Sequence, residues 1–255
     1  MVRFSTPSSA GTPHIHNRSI RSRLVPSTFP THPVAVLPLK LWRPRWFDGV
    51  ALVLGSMAPD AAYVLDGSGL PVWPFSHEPL GLVGWCLPLT LIGTRLVRSA
   101  TPTIVVHLPN GGSFALRDYG AIRAARHRWW ITALSALIGA ASHIVLDTVE
   151  QHVPMAEYVF HAVGIAAIIV VGLHIGRRRL VRHWYGTPPA VSARPRTFWM
   201  VAGAVALPAA AVTPFLPAAF LPHTTGARLL AAIAAGLLAG AAAVAVNRPE
   251  RTASR

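Results

Sequence analysis

The chain has 255 residues, 52% of them hydrophobic, a mean hydropathy of +0.45 and a formal net charge of +14. That apolar content lies above ordinary soluble composition and makes a membrane protein the first class to test. A nucleic-acid partner would require the positive charge to form one stripe with stacking aromatics, and the sequence has no such stripe.

Residues 1–26, with "STPSSAGTP" and scattered Arg and His, read as a disordered extension. They lack a continuous apolar h-region, so no cleavable signal peptide is expected. Two short apolar stretches follow, "THPVAVLPL" at 31–39 and "FDGVALVLGSMAPDAAYVL" at 47–65, separated by the basic, aromatic "KLWRPRW". The first is too short to cross a bilayer alone, which predicts a short helical hairpin.

Five stretches then approach the roughly 20 apolar residues a spanning helix needs: 79–98, 129–147, 158–176, 198–220 and 228–246. The expected fold is therefore all-α, a polytopic transmembrane helical bundle of about five full spans plus the N-terminal hairpin. Along the chain this divides into a membrane domain at 27–176, a basic loop at 177–197, two C-terminal transmembrane helices within 198–246 and a basic tail at 247–255. Within 99–128, "TIVVHLPNGGSFALRDY" has two β-favouring runs around Pro-Asn-Gly-Gly and predicts a small β excursion. Pro208, Pro214 and Pro217 predict a kink or break near the end of the fourth span, and Gly236 with Gly240 suits close helix packing in the fifth. Cys86, alone in a span, reads as a small buried hydrophobe.

The cations alternate. Lys40, Arg43 and Arg45, then Arg98, Arg117, Arg123, Arg126 and Arg128, then Arg177, Arg178, Arg179, Arg182, Arg194 and Arg196, and finally Arg248, Arg251 and Arg255 occupy every second connection. Positive-inside topology puts those connections and the C-terminus in the cytoplasm of a multi-pass inner-membrane protein. Asp60, Asp66, Glu78, Asp147, Glu150 and Glu157 fall at the opposite ends of the spans, which makes one rim acidic and His-bearing.

The stretch "GAASHIVLDTVEQHVP" carries the most chemistry. His143 and Asp147 are four apart and Glu150 is three further, so on a helix they share one stripe ending near the outer interface, just before Pro154. Taken alone this is equally a helix end standing in interfacial water. Other segments aim similar groups at the same rim: "GSMAPD" brings Asp60, "FSHEPLG" brings His77, and His32 opens the hairpin. Imidazoles and carboxylates together suit a divalent metal such as Zn, Mn or Fe more than Ca. A carboxylate not used as a ligand, Glu150, is the candidate general base. His152 lies off the stripe, and His161 and His174 read as interhelical hydrogen-bonders.

The ordered set "THPVAVLPL", "GSMAPD", "SHEPLG" and "SALIGAASHIVLDT" resembles a bacterial family of multi-spanning membrane proteins known only as a domain of unknown function, over residues 27–176. More distantly it is similar to inner-membrane proteins regarded as metal-dependent hydrolases. That resemblance implies His32, Asp60, His77, His143 and Asp147 as metal ligands. Two departures bear on catalysis: Ala61 and Ala62 follow Asp60 where a second acidic residue is common in those relatives, and "TVEQH" stands where Ser-x-Thr-His is common. The expected partners are membrane lipids and a lipid-linked or phosphoester substrate. The first functional expectation is a metal-dependent hydrolase at the membrane surface. A non-enzymatic scaffold using the His/Asp set to fix helix packing comes next, and a transporter third, since ionisable residues in spans also mark ion paths.

Overall fold

The computed structural model describes residues 31–153 and 156–246. The expected extension at 1–26, the tail at 247–255, Pro154 and the side chain of Glu157 lie outside the described residues. The described chain is an all-α bundle, without a strand among the described residues.

The expected hairpin is present. Helix α1 (Pro33–Trp42) starts with Pro33 at its first helical position, where a missing N–H costs nothing, and the chain reverses through Arg43–Asp48 into α2 (Gly49–Met57). Lys40 closes this turn by donating from Nζ to the Pro44 and Phe47 carbonyls at 2.6 and 2.9 Å. Pro59 then ends the α-helical register, and Asp60–Leu65 winds as a 3₁₀ helix. A short α3 (Val72–Ser76) leads to α4 (Pro79–Gly81), a π-helical turn at Leu82–Cys86 and α5 (Leu87–His107).

Candidate spans follow from length and apolarity: Pro79–His107, Trp129–Glu150, Val159–Arg177, Pro195–Phe215 and Pro222–Val246. They belong to α4–α5, α6 (Trp129–His152), α7 (Ala156–Arg177), α9 (Pro195–Val212) with its 3₁₀ extension, and α10 (Pro222–Val246), with the short α8 (Leu180–Tyr185) between α7 and α9. Outward-facing Val159, Val163, Ile165, Val170 and Leu207 are exposed, as suits a lipid-facing surface. Trp42, Trp46 and Trp129 are exposed together at the basic end, the place for an interfacial aromatic belt. The architecture is that of a multi-pass membrane protein.

One expectation fails. Residues 99–128 form no β excursion: α5 runs on through the β-branched "TIVVH", burying Thr103, Val105 and His107 against its neighbours. Tertiary packing overrides β propensity there. The Asn-Gly-Gly turn, with Gly111 and Gly112 both at positive φ, opens into 3₁₀ turns at Gly112–Phe114 and Leu116–Ala124 rather than a second strand. The break in the fourth span falls at Thr213–Phe215, where Pro214 stops the α-helix, while Pro208 is accommodated inside α9. Gly236 and Gly240 do serve close packing: a Cβ on either would meet the Ala202 or Phe198 carbonyl of α9 at 2.6 or 2.8 Å.

Two anchors position the functional rim. At the basic end Asp48 is fully buried, caps α2, accepts from Thr132 Oγ1 at 2.8 Å and pairs with Arg98; its N–H donates to Ser135 Oγ at 2.9 Å. This ties α2, α5 and α6 together. In mid-bundle, a Cβ on Gly55 would collide with the Ala136 carbonyl, and one on Gly139 with the Leu52 carbonyl, so α2 and α6 cross backbone to backbone. One further turn along each helix lies the site.

Candidate metal centre

Asp60 stands directly after Pro59, as the first residue of the 3₁₀ helix that follows α2 rather than as its N-cap. His77 is the C-terminal cap of α3. His143 and Asp147 sit one turn apart on α6, four residues past Gly139 and beyond. One donor atom each from Asp60, His77, His143 and Asp147 lies within 4.8 Å of the others. His143 Nε2 is 3.2 Å from Asp60 Oδ1 and 3.3 Å from Asp147 Oδ2; His77 Nε2 is 3.4 Å from Asp60 Oδ1 and 3.5 Å from Asp147 Oδ2. Neither Nε2 has a hydrogen-bond partner despite this closeness.

These spacings fit a cation. Ligand bonds of about 2.0–2.1 Å in a tetrahedron set neighbouring donors about 3.3–3.4 Å apart. The four imidazole–carboxylate distances bracket that edge, and all four donors lie within 4.8 Å of one another.

The surroundings fix which ring nitrogens face inward. His143 Nδ1 lies 2.8 Å from the Ser56 carbonyl, which can only accept, so Nδ1 carries the proton and Nε2 presents a lone pair to the site. His77 Nδ1 lies 2.9 Å from Ser76 Oγ and 3.2 Å from the Trp73 carbonyl. Ser76 Oγ in turn reaches the Pro59 and Trp73 carbonyls at 2.9 and 2.8 Å. The hydroxyl's single hydrogen belongs to a carbonyl, so His77 Nδ1 is the donor and its Nε2 is also free to ligate. The π-helical turn clamps both loops: Trp85 Nε1 donates to the Ala58 carbonyl at 3.0 Å, and Cys86 Sγ to the Ser76 carbonyl at 3.5 Å. Cys86 is buried, as its sequence context predicts, with this contact in addition.

Electrostatics follow from burial among opposite charges. Burial alone would raise the Asp60 carboxyl, but His143 and His77 hold it below the ordinary carboxylate range. Burial pushes His77 down, and Asp147 with Asp60 outweighs that, raising it to about 9. For His32 burial wins, and its value is lowered despite Asp147.

His32 is buried beside this set rather than within it: its Nε2 is 3.4 Å from the other Asp147 oxygen, Oδ1, and its ring lies 4.1 Å from that of His143. Glu150 also stands apart from the four, lining a cavity of about 90 Å³ with His32. The picture of a helix end in interfacial water does not hold, because His143 is fully buried and Asp147 and Glu150 nearly so. His152 is exposed and bonds back to the Thr148 carbonyl, His161 is half-buried, and His174 is exposed. Sequence reasoning passed over His107, whose Nδ1 donates to the Thr103 carbonyl while Nε2 accepts from the Arg194 N–H at 2.8 Å, with Phe198 stacked on its ring. It also passed over Asp48, although an Asp before an apolar helical run is an N-cap signal.

The model of the domain of unknown function DUF4184 matches residues 25–153, about half of the chain. The chain belongs to that family. The DUF4184 match takes in α1, α2 and α6 and every residue of the four-donor cluster, while α7, α9 and α10 follow it. No curated protein and no solved structure matches the chain.

The later helices nonetheless brace the DUF4184 site. From α10, Arg228 donates to the Val64, Pro217 and Asp66 carbonyls at 3.3, 2.7 and 2.6 Å, and Thr224 Oγ1 to Asp66 Oδ2 at 2.8 Å. His223 packs its ring on Tyr63. The 3₁₀ turn that begins at Asp60 is thereby held from outside the matched region.

Proposed function

We propose that this protein is a metal-dependent hydrolase of the membrane surface acting on a phosphoester or lipid-linked substrate, with Asp60, His77, His143 and Asp147 as ligands. The observation that carries this reading is the convergence, within 4.8 Å, of four donor atoms from three separate segments. A mixed imidazole and carboxylate set favours Zn, Mn or Fe. Such an ion supplies Lewis-acid polarisation and a lowered pKa for water in its shell. The chain's own residues do the rest: the Ser56 carbonyl and Ser76 orient the imidazoles, and Glu150, in the adjoining cavity, is the proton acceptor.

An apolar cavity of about 430 Å³ between the hairpin and α7 comes near the site only through Pro33, the residue after His32, and otherwise extends to Lys40, Trp184 and Tyr185 at the basic end, so the lipid-type substrate rests on the membrane setting. The inner membrane is the proposed location, with the basic connections and the C-terminus in the cytoplasm.

The test is metal analysis of detergent-purified protein beside His143→Ala, followed by hydrolysis of a chromogenic phosphodiester with and without chelator. About one or more equivalents of divalent metal in the wild type, lost in the variant, together with chelator-sensitive hydrolysis, is the expected result. A metal-free wild type whose alanine variants lose only stability would instead identify the His/Asp set as a packing device of a scaffold.

A further inference from the structure

The apolar cavity of about 430 Å³ between the hairpin and α7 is elongated. Pro33, Leu37 and Leu41 line it from α1 at spacings of four, and Ile168, Val171 and Ile175 from α7 at spacings of three and four, so one stripe of each helix forms a wall. At 1.5 Å per residue these walls run for about 10–12 Å, which makes the cavity a slot along the two helices rather than a round pocket. The α7 wall is one helix thick: Ile169 and Val170, beside the lining residues, are exposed on its outer face.

The slot reaches a charge at its basic end. Lys40 lines it there, buried, with its ammonium on the Pro44 and Phe47 carbonyls and over the Trp184 and Tyr185 rings at 5.1 and 5.0 Å. The carboxylates at this end, among the described residues, are already taken: Asp48 by Arg98, and Asp118 by Arg179 and Arg182 at 2.9 and 3.8 Å. Arg43, Arg45, Arg126, Arg177 and Arg178 are exposed at the same end, outside these pairs. Two of them follow from the walls of the slot, since Arg43 comes directly after α1 and Arg177 ends α7. The exposed Trp42 and Trp46 mark this level as interfacial.

We infer that the slot is a binding site for an anionic phospholipid, with one acyl chain between α1 and α7 and the headgroup phosphate at the basic rim by Lys40, Arg43 and Arg177. The setting supplies that occupant, because α7 faces lipid along the length of the slot. Apolar walls alone give an acyl chain little advantage over bulk lipid, so preference comes from the headgroup, at about fivefold for each cation engaged. The site meets the proposed metal centre only at Pro33 and does not depend on it. Its occupant joins the hairpin to α7, which lies beyond the matched family region.

The test uses the full-length protein in mild detergent. Native mass spectrometry follows its titration with phosphatidylglycerol and with phosphatidylcholine of identical chains, and a phosphatidylglycerol carrying a diazirine on one acyl chain maps the contact by photocrosslinking. Wild type is expected to hold one phosphatidylglycerol at least about fivefold more tightly than phosphatidylcholine, with crosslinks within 33–41 and 168–175. Leu37→Trp and Ile168→Trp, filling the slot from opposite walls, should each lose that lipid. Arg43→Gln combined with Arg177→Gln should keep a lipid but lose the preference. Equal binding of the two lipids, phosphatidylglycerol binding that survives both Trp substitutions, or crosslinks outside these segments overturns the site. Circular dichroism checks each variant, and where one does not fold, the wild-type preference and crosslink map decide.

Discussion

Ser76→Ala separates ligation from the scaffolding that aims it. The Ser76 hydroxyl is completely buried and touches the Pro59 carbonyl, the Trp73 carbonyl and His77 Nδ1, at 2.9, 2.8 and 2.9 Å. It therefore joins the turn that carries Asp60 to the turn that carries His77. Removing it takes one hydrogen bond from a buried carbonyl and loosens the His77 ring, at about 1–3 kcal/mol of stability. Outer-shell partners of this kind typically govern 10–100-fold in metal affinity, roughly 1.4–2.7 kcal/mol. Ser56→Ala is the matched control, because Ser56 contacts His143 through its backbone carbonyl while its hydroxyl only turns back to the Val53 carbonyl. Competition titration of Zn²⁺ against a chromophoric chelator, on both variants in the same detergent, should show weakened binding for Ser76→Ala and wild-type binding for Ser56→Ala. Equal affinities in the two variants, with Ser76→Ala still folded, would refute the argument that Ser76 orients a ligand.

The metal-free protein should lose stability as pH rises from about 6.5 to about 9, because the folded state holds a proton on His77 that the unfolded chain releases earlier. The ceiling is about 3 kcal/mol, lessened by partial exposure of that ring, and the Zn²⁺-loaded protein should show the opposite trend as protons stop competing, both readable by scanning fluorimetry. Asp48→Asn should cost stability toward the lower end of roughly 3–5 kcal/mol by stranding Arg98, yet leave metal stoichiometry unchanged; a lost equivalent would mean the two rims are coupled. Gly139→Val should cost at least about 1–3 kcal/mol by forcing α6 off the Leu52 carbonyl, and should weaken Zn²⁺ binding in protein whose circular dichroism remains helical.

The spans were legible because lipid demands about 20 apolar residues in helical form, and that demand is written into composition. The hairpin was legible for the same reason, being too short to cross. What local reading missed was set by tertiary contact. "TIVVH" has β propensity but continues a helix, because α5 is packed along its length. Within the site, His143 and Asp147 announce themselves by spacing, and the Pro-Asp and Ser-His segments by position at one rim. Their burial was not legible, since a helix end in water and one packed against α1, α2 and the π-helical turn have the same local sequence. Nor could spacing assign the Asp147 oxygens to separate partners, or show that Arg228, more than 160 positions from Val64 and Asp66, holds the turn after Asp60.

Charge balance explains why such a set persists inside a bundle. Two buried carboxylates without counter-charge would be among the most expensive arrangements in a membrane protein. The structure supplies two ways to neutralise them. Imidazoles within 3.2–3.5 Å can take up protons, which is why His77 is raised to about 9. A single divalent ion cancels the same charge and leaves both Nε2 atoms neutral as ligands. The two solutions occupy the same space and exclude each other, so a cation bound here would displace the ring protons. The imidazole–carboxylate spacings of 3.2–3.5 Å are compatible with either.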